Sequence, residues 1–339
     1  MRVDGHRGAD CASLSGPLSL AKTANWRDLH WSERLGESRD ERRRQPGGQR
    51  ISAFVTDDPI HGSVSATQSF YEEGVRVAFE AIWGEHLHLG LFTRPKEPLI
   101  AAQRRAIRTM AESLDLPADA EVLEVACGVG PAARHLARRY GCRVSATNIS
   151  PRQLAQGRDL TEAAGLDHLV RFAGADYHQL PFADGRFDLW WCQEALLHSP
   201  DKARVLGEAR RVLRSGGRIV VSDLTVPTAV SDAERALIYA RVHAPVMWDK
   251  ADYERALAAL GFDIERFDDW SAQVAPSYAA IKQAVEAHRA DIPPEFPDAQ
   301  VEAALAQFQL WVDFARAGKI GWFHFRARKG RLAATGDRQ

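Results

Sequence analysis

Short apolar runs alternate with helically periodic stretches along most of the chain after residue 98. Apolar runs bounded by turn residues predict strands, and apolar residues recurring every three to four positions predict helices. The predicted helices are 98–114, 131–140, 151–164 and 202–213, the last ended by Gly216-Gly217. The predicted strands are 121–126, 143–147, 170–173, 187–192 and 218–222. Strands separated by helices need right-handed crossovers, so the pattern predicts an α/β fold with a parallel sheet covered on both faces.

The two ends of the chain differ from this middle part. Residues 1–62 are polar, lack sustained periodicity and contain Arg42-Arg43-Arg44, which predicts a flexible N-terminal extension. One domain is predicted over 63–330, with a core at 118–224, an insertion at 225–270 and a flexible tail at 331–339. Within it, apolar positions from Phe70 to Ile82 predict a helix before the core. The alternation at 322–325 predicts a final strand.

Composition removes several classes of partner. The chain has 44 basic and 45 acidic residues and no long like-charge block, so nucleic acid and membrane surfaces are not expected partners. No stretch approaches the roughly 20 apolar residues needed to cross a bilayer. The cysteines Cys11, Cys127, Cys142 and Cys192 show no CxxC spacing. This spacing favours neither a disulfide framework nor a zinc site, and predicts a cytoplasmic protein.

The ligand crevice of a parallel α/β sheet lies at the carboxyl ends of its strands. After the first predicted strand, Gly128-Val129-Gly130 forms a turn that leads into a helix at Pro131. Glycines allow a sharp bend and a close approach of the backbone to a ligand. The turn matches neither GxGxxG nor GxxxxGK[ST], which argues against phosphate binding. Glu124 would repel a pyrophosphate but can pair with a cationic ligand.

The next strand ends carry groups that suit a nucleoside. Asn148 offers both a donor and an acceptor to ribose hydroxyls. Asp176 and Tyr177 follow the third strand, where they can hydrogen-bond and stack against an adenine. The fourth strand ends at Gln193-Glu194-Ala195.

With these ordered motifs, residues 121–223 resemble the class I S-adenosylmethionine-dependent methyltransferases. The resemblance implies a Rossmann-like sheet of seven strands with helices on both faces, an N-terminal helical cover and S-adenosylmethionine as cofactor. The implied cofactor-binding residues are Glu124, Ala126, Gly128, Gly130, Asn148, Ile149, Gln153, Asp176, Tyr177 and Gln193. Two positions depart from the family pattern: Ala126 replaces the first loop glycine, and Asn148 replaces the ribose-binding acid.

Three flanking segments extend the resemblance over 67–329. These segments are 83–90, 197–201 and 317–322, and they are similar to the sarcosine/dimethylglycine methyltransferases. The first also resembles tocopherol and some prenyl-chain methyltransferases. The resemblance implies N-methylation of a small amine or amino acid, with 225–270 lining the acceptor pocket.

Three residues are candidates for acceptor chemistry. His198 follows the fourth strand and can act as a base, although 198–201 also suits a loop with Asp201 as N-cap. Arg241 can clamp a carboxylate, and a solvated helix position is its alternative. Tyr71 can close over the cofactor, or be buried beside Phe70. His86 and His88 lack a supporting carboxylate or cysteine cluster, so no metal site is expected.

Two further functions remain open. C- or O-methylation of a natural-product or prenyl chain would need a pocket lined by Val246, Met247, Trp248 and Trp311. A cofactor-binding regulatory subunit without turnover is the non-enzyme alternative, and the intact turn glycines argue only against lost cofactor binding. The expected partner is a small-molecule methyl acceptor, and the sequence leaves a homodimer open.

Overall fold

The computed structural model describes residues 59–72, 82, 84–293 and 296–330. The strands of this part of the chain are β1 Glu121–Val125, β2 Arg143–Asn148, β3 Val170–Gly174, β4 Phe187–Gln193, β5 Leu213–Thr225, β6 Phe262–Asp269 and β7 Gly321–Lys329. They form one seven-stranded sheet in the order β3-β2-β1-β4-β5-β7-β6. Strands β1 to β5 pair in parallel, whereas β7 runs antiparallel to β5 and β6. The predicted seven-stranded α/β fold is confirmed.

Nine α-helices belong to the described residues. They are α1 Pro59–Glu72, α2 Leu99–Ala111, α3 Pro131–Tyr140, α4 Pro151–Ala163, α5 Lys202–Val212, α6 Asp232–Val242, α7 Lys250–Ala259, α8 Val274–Ala287 and α9 Asp298–Arg316. Short 3₁₀ turns occur at Leu196–His198, Ser271–Gln273 and Arg289–Asp291. None of these helices is both long and apolar enough to span a bilayer.

The core lies on both faces of the sheet. Neighbouring residues of the central strand β4 point to opposite faces, so Trp190 and Trp191 are both fully buried but belong to different apolar clusters. Burial on both faces explains why residues 189–192 of β4 form a continuous apolar run without alternation.

Two parts of the sheet differ from the prediction. Helix α5 ends at Val212, and β5 starts at Leu213 rather than at 218. Leu213 pairs with Phe187 and Arg218 with Leu189, so the chain between them bulges, with Gly216 at a φ of 77°. The glycine pair therefore shapes a strand and does not stop a helix. Strand β6 was not predicted because it is an edge strand in which only Phe262 is buried.

The N-terminal prediction lies largely outside the described residues. Helix α1 is present, but residues 73–81 and 83, where the cover helix was predicted, are not described. The predicted extension up to residue 58 and the predicted tail after 330 also lie outside. The division into extension, domain and tail therefore stays a prediction.

Candidate active site

A cavity opens at the carboxyl ends of β1, β2 and β4. Most of the predicted cofactor residues line it, and we call these the turn group: Glu124, Ala126, Gly128, Asn148, Ile149, Gln153, Tyr177 and Gln193. A second set also lines it, and we call this the Glu194 group: Thr67, Glu85, Leu87, His88, Glu194, Ala195 and His198. Gly130 and Asp176 lie next to the turn group in sequence but are not among the described lining residues.

The turn after β1 depends on left-handed backbone conformations. Gly130 is the N-cap of α3 with a φ of 76°. A Cβ atom at Gly130 would lie 2.6 Å from Cζ of Phe172, so no larger residue fits without a shift of the ring. Ala126 has a φ of 49°, and it therefore keeps the turn geometry despite replacing the family's glycine, at a cost of about 1 kcal/mol.

Glu124 places a carboxyl group in an enclosed position at the end of β1. Its side chain is 4% exposed, and burial raises its pKa to about 8 although the backbone of Ala133 and the charge of Arg134 lower it. Oε2 has no hydrogen-bond partner among the described residues. A buried carboxyl oxygen of this kind is stabilised by a cationic ligand. The site therefore fits the amino group of a methionine-derived cofactor.

Asn148 and Gln153 hold the end of β2 against the turn. Nδ2 of Asn148 donates to Oε1 of Gln153 at 2.8 Å and to the carbonyl oxygen of Gly128 at 3.3 Å. Oδ1 accepts from the backbone N–H of Ile149 at 2.8 Å. An aspartate could not donate to the Gly128 carbonyl, so the amide at 148 gives this turn a hydrogen bond that an acid would lose.

Asp176 and Tyr177 differ in their access to the cavity. Oδ1 of Asp176 accepts hydrogen bonds from the backbone N–H of His178 at 2.9 Å and from its Nδ1 at 2.7 Å. Burial raises the pKa of Asp176, but these hydrogen bonds outweigh it and the pKa lies below its usual value. Tyr177 lines the cavity, and its hydroxyl donates to the carbonyl of Ala195 at 3.3 Å. Their contacts with adenine stay predictions.

Segment 84–98 is tied to the cofactor turn by a salt bridge. Arg134 donates from Nη1 to the carbonyl oxygen of Val129 at 2.5 Å and from Nη2 to Oε2 of Glu85 at 2.6 Å. The proximity of His86, whose Nε2 lies 3.4 Å from Oε1 of Glu85, and the charge of Arg134 lower the pKa of Glu85 to about 2, despite its partial burial. Glu85 therefore carries a negative charge at the cavity wall across the neutral range.

His86 and His88 form hydrogen bonds with each other and with the backbone. Nδ1 of His88 lies 2.8 Å from the carbonyl oxygen of Leu89, so Nδ1 is the protonated nitrogen. Nε2 of His88 then accepts from Nδ1 of His86 at 3.1 Å. Burial lowers the pKa of His88 to about 3, so its ring is neutral. Gln103 donates to the carbonyl oxygens of both histidines, at 2.7 and 2.8 Å.

Glu194 lines the cavity but was not predicted as a site residue from the sequence. It follows β4 directly and has a φ of 49°, an uncommon conformation for a residue with a side chain. Oε2 accepts from the backbone N–H of Leu89 at 2.8 Å, while Oε1 has no hydrogen-bond partner among the described residues. Burial raises the pKa of Glu194 to about 8. Glu194 could have been identified from the sequence, because it is a carboxylate at the end of an apolar strand, the same signal that pointed to Glu124.

The candidates for acceptor chemistry lie in different places. His198 is 6% exposed and lines the cavity, and its carbonyl oxygen accepts from Oγ of Ser63 at 3.3 Å. Arg241, in the last turn of α6, lies over the ring of Phe308 at 4.6 Å and is not among the described lining residues. Tyr71 lies in α1, but its side chain is outside the described residues. The roles of all three stay predictions.

The residues proposed for an apolar acceptor pocket also do not meet at this cavity. Trp248 packs against Tyr253, and Trp311 is fully buried against Tyr278. Neither these two nor Val246 and Met247 are among the described residues that line it.

Comparison with known proteins identifies the class to which this fold and site belong, the S-adenosylmethionine-dependent methyltransferases. A family profile described as a methyltransferase domain matches residues 123–221. The chain is 34% identical to the sarcosine/dimethylglycine N-methyltransferase of Halorhodospira halochloris, over 78% of this chain and 96% of the relative. It is 32% identical to the 27-O-demethylrifamycin SV methyltransferase of Amycolatopsis mediterranei (strain S699), over 74% of this chain and 92% of the relative.

A solved structure with the same fold belongs to the same group of methyltransferases as the first of these relatives. The protein described as a sarcosine dimethylglycine methyltransferase from Galdieria sulphuraria superimposes with a TM-score of 0.71 at 26% identity, covering 76% of this chain and 99% of that one. The chain therefore belongs to the S-adenosylmethionine-dependent methyltransferase family that includes the sarcosine/dimethylglycine N-methyltransferases. Its cofactor is S-adenosylmethionine.

Proposed function

We propose that this enzyme methylates the nitrogen of a small carboxylated amine, with sarcosine and dimethylglycine as the first candidates. The observation that carries the proposal is the buried carboxyl group of Glu194, which lines the cavity; Glu85 lines it too, but its charge is paired with Arg134. A buried carboxyl group suits a cationic acceptor better than an apolar one. The similarity to the Halorhodospira halochloris N-methyltransferase over nearly its whole length supports the same acceptor class.

The turn group is the proposed cofactor site. Glu124 would hold the amino group of the methionine part, because its Oε2 is buried and lacks a partner among the described residues. Asn148 and Ile149 would contact the ribose, and Asp176 and Tyr177 the adenine. When bound, the cofactor supplies an electrophilic sulfonium methyl group. Ala126, Gly128, Gly130, Gln153 and Gln193 complete the proposed set.

The remaining contribution of the chain is positioning. An in-line attack requires the acceptor atom to lie about 3 to 3.5 Å from the methyl carbon with its lone pair aligned. The cavity wall around His198 would orient the acceptor, and His198 is a candidate base. Arg241 is the candidate carboxylate clamp, but its position over Phe308, outside the described cavity lining, favours a structural role; Tyr71 stays a candidate cover residue.

The test is turnover of methyl-labelled S-adenosylmethionine against glycine, sarcosine, dimethylglycine, other small amines and apolar phenolic or prenyl acceptors. We expect labelled product from the carboxylated amines. The control is 3-methylbutanoate, which has the shape of dimethylglycine without the nitrogen and should stay unlabelled. Label on phenolic or prenyl acceptors alone would refute the amine proposal.

O-methylation of a natural product is the second candidate. It is favoured by the 32% identity to the rifamycin methyltransferase of Amycolatopsis mediterranei, which covers 92% of that relative. C-methylation of a prenyl chain belongs to the same alternative, and a cofactor-binding subunit without turnover is the non-enzyme one. The same panel of acceptors distinguishes these functions.

A cytoplasmic location, independence from nucleic acid and a homodimer are further proposals. Cys127, Cys142 and Cys192 are buried free thiols, which supports a reducing compartment. Size-exclusion chromatography with light scattering would determine the oligomeric state.

A further inference from the structure

Resting on the proposed amine acceptor, we infer that Glu194 binds the acceptor's ammonium group and takes its proton before methyl transfer. Glu194 and Glu124 are carboxyl groups that line one cavity, each with an oxygen that has no hydrogen-bond partner among the described residues. They lie at the ends of the neighbouring strands β4 and β1. If Glu124 holds the amino group of the cofactor, Glu194 is available to a second cation.

The backbone and the neighbours of Glu194 hold its carboxyl group in one position. Its left-handed φ of 49° is costly for a glutamate, and its own N–H donates to the carbonyl of Ser222 at 2.7 Å. The N–H of Leu89 fixes Oε2. Ser222 and Trp322 lie beside the carboxyl group as donors that lower its pKa. Oε1 is buried and meets strict hydrogen-bond geometry with neither of them, so a cation bound to Oε1 would compete with these two donors.

An alternative role for Glu194 is purely structural. The hydrogen bond to Leu89 joins β4 to segment 84–98 across 105 residues of sequence, and such a link alone would justify a polar side chain. A neutral glutamine would make the same hydrogen bond without burying an acid. Burial raises the pKa of Glu194 to about 8, so the carboxyl group carries a cost that the structural role does not require.

The chemistry balances without any further reactant. Oε1 of the carboxylate accepts a proton from the acceptor's ammonium group, which leaves a neutral amine with a lone pair. That lone pair forms the N–C bond to the methyl carbon while the C–S electron pair stays on sulfur. Glu194 then releases its proton to solvent. A base with a pKa near the working pH is well suited to this step.

Other titratable groups surround Glu194. Asp223 on β5 raises its pKa further through like charge, and Asp223 itself accepts a hydrogen bond from Tyr253 and lies in the field of Lys202. The other titratable groups lining the same cavity are Glu85, Glu124, His88, Cys127, Tyr177 and His198. Of these, His198 is the competing candidate for the base, and the test must separate the two.

The experiment compares Glu194→Gln with wild type on dimethylglycine at saturating cofactor, from pH 6 to 9.5. Glutamine keeps an oxygen for the Leu89 N–H but cannot take a proton. We expect kcat/KM near pH 8 to fall about 100-fold or more, in the range of lost general bases. Wild-type kcat/KM should rise with pH and level off above about 8. In the variant it should follow the deprotonation of the acceptor itself.

Two binding measurements separate recognition of the ammonium group from a structural effect. The cofactor Kd and the inhibition constant of 3-methylbutanoate, the acceptor shape without the charge, should change less than about threefold. The matched control is Glu208→Gln, because Glu208 also accepts a backbone N–H, that of Leu180 at 2.8 Å, but is not among the described lining residues. The dependence of kcat/KM on pH in Glu208→Gln should equal that of wild type.

The assignment is overturned if Glu194→Gln keeps the wild-type pH profile, or if cofactor Kd weakens as much as kcat/KM falls. If the increase of kcat/KM with pH disappears in His198→Asn but persists in Glu194→Gln, His198 is the base. If Glu194→Gln does not fold, Glu194→Asp is used instead. This variant retains a carboxylic acid, so kcat/KM should still rise with pH, although kcat should be lower than in wild type. If wild type methylates no amine, the proposed function has failed, and that result is visible before any variant is made.

Discussion

The turn group and the Glu194 group line one cavity but are built differently. Glu124, Ala126 and Gly128 come from a single strand and turn, whose geometry depends on left-handed residues and on the start of α3. The Glu194 group joins α1, segment 84–98 and the end of β4 through hydrogen bonds between distant residues, such as that of Leu89 with Glu194. The conformation of this turn is therefore set locally, whereas the rest of the turn group and the Glu194 group come together only when the chain has folded.

The largest expected effect is a loss of cofactor affinity when the turn after β1 is disrupted. Gly130→Ala would place a Cβ atom 2.6 Å from the Phe172 ring at a φ of 76°, so we expect cofactor Kd to weaken about 100-fold. Isothermal titration with S-adenosylhomocysteine would measure it. The control is Gly185→Ala, which has a φ of 63° and open space around the added methyl. It should cost about 1 kcal/mol of stability and leave Kd unchanged. Equal Kd values for both variants would contradict the assignment of the turn.

The next effect tests whether the two carboxyl groups serve different ligands. Glu124→Gln removes a charge-assisted hydrogen bond, so cofactor Kd should weaken about 10- to 100-fold, while acceptor KM changes less than threefold. Glu194→Gln should show the reverse pattern. A double-mutant cycle with both glutamine variants, measured on kcat/KM and on cofactor Kd, would sharpen the comparison. Strong coupling between the two substitutions in cofactor Kd would mean that both residues bind the same cation.

A smaller effect concerns stability and pH in the absence of ligand. Both carboxyl groups have a folded pKa of about 8, above the unfolded value of 4.5, so the folded protein binds more protons in this range. Their contribution to stability is fully present below pH 4.5 and is lost as pH rises through 8. The Tm of wild type should therefore fall by a few degrees more than that of either glutamine variant between pH 6 and 9.

The control for this measurement is Glu208→Gln. The hydrogen bond with Arg211 lowers the pKa of Glu208, so its removal should not protect the protein at high pH. Saturating cofactor should reduce the decrease of the wild-type Tm between pH 6 and 9, because a bound cation favours the charged form of Glu124. Parallel Tm curves for wild type and both cavity variants would show that these acids are not buried in solution.

The smallest expected effect lies outside both groups. The guanidinium of Arg241 lies over Phe308, so Arg241→Ala should cost about 0.5–1 kcal/mol of stability and leave acceptor KM within twofold. Urea unfolding and steady-state kinetics would measure the two quantities. A rise in KM of tenfold or more at unchanged cofactor Kd would instead support the carboxylate clamp.

Local patterns predicted the parts of the fold in which the chain decides its own conformation. Helix α3 has the predicted bounds because Pro131 suits a first helical position and Gly141 ends the helix with a φ of 72°. Strands β1 to β4 lie within a residue or so of their predictions. Strand β6 was missed because an edge strand needs little apolar alternation, and its pairing partner β7 lies more than 50 residues away.

The same distinction applies to the candidate site. The sequence by itself predicted the α/β fold and the order of the turn group, since strand ends and glycine turns are encoded over a few neighbouring residues, and its resemblance to a known family implied the cofactor. Only the tertiary structure brought Glu194 to Leu89 and Glu85 to Arg134, and located Arg241 over Phe308. A side chain's burial and hydrogen-bond partners depend on segments far away in the chain, and no local pattern records which of them will meet.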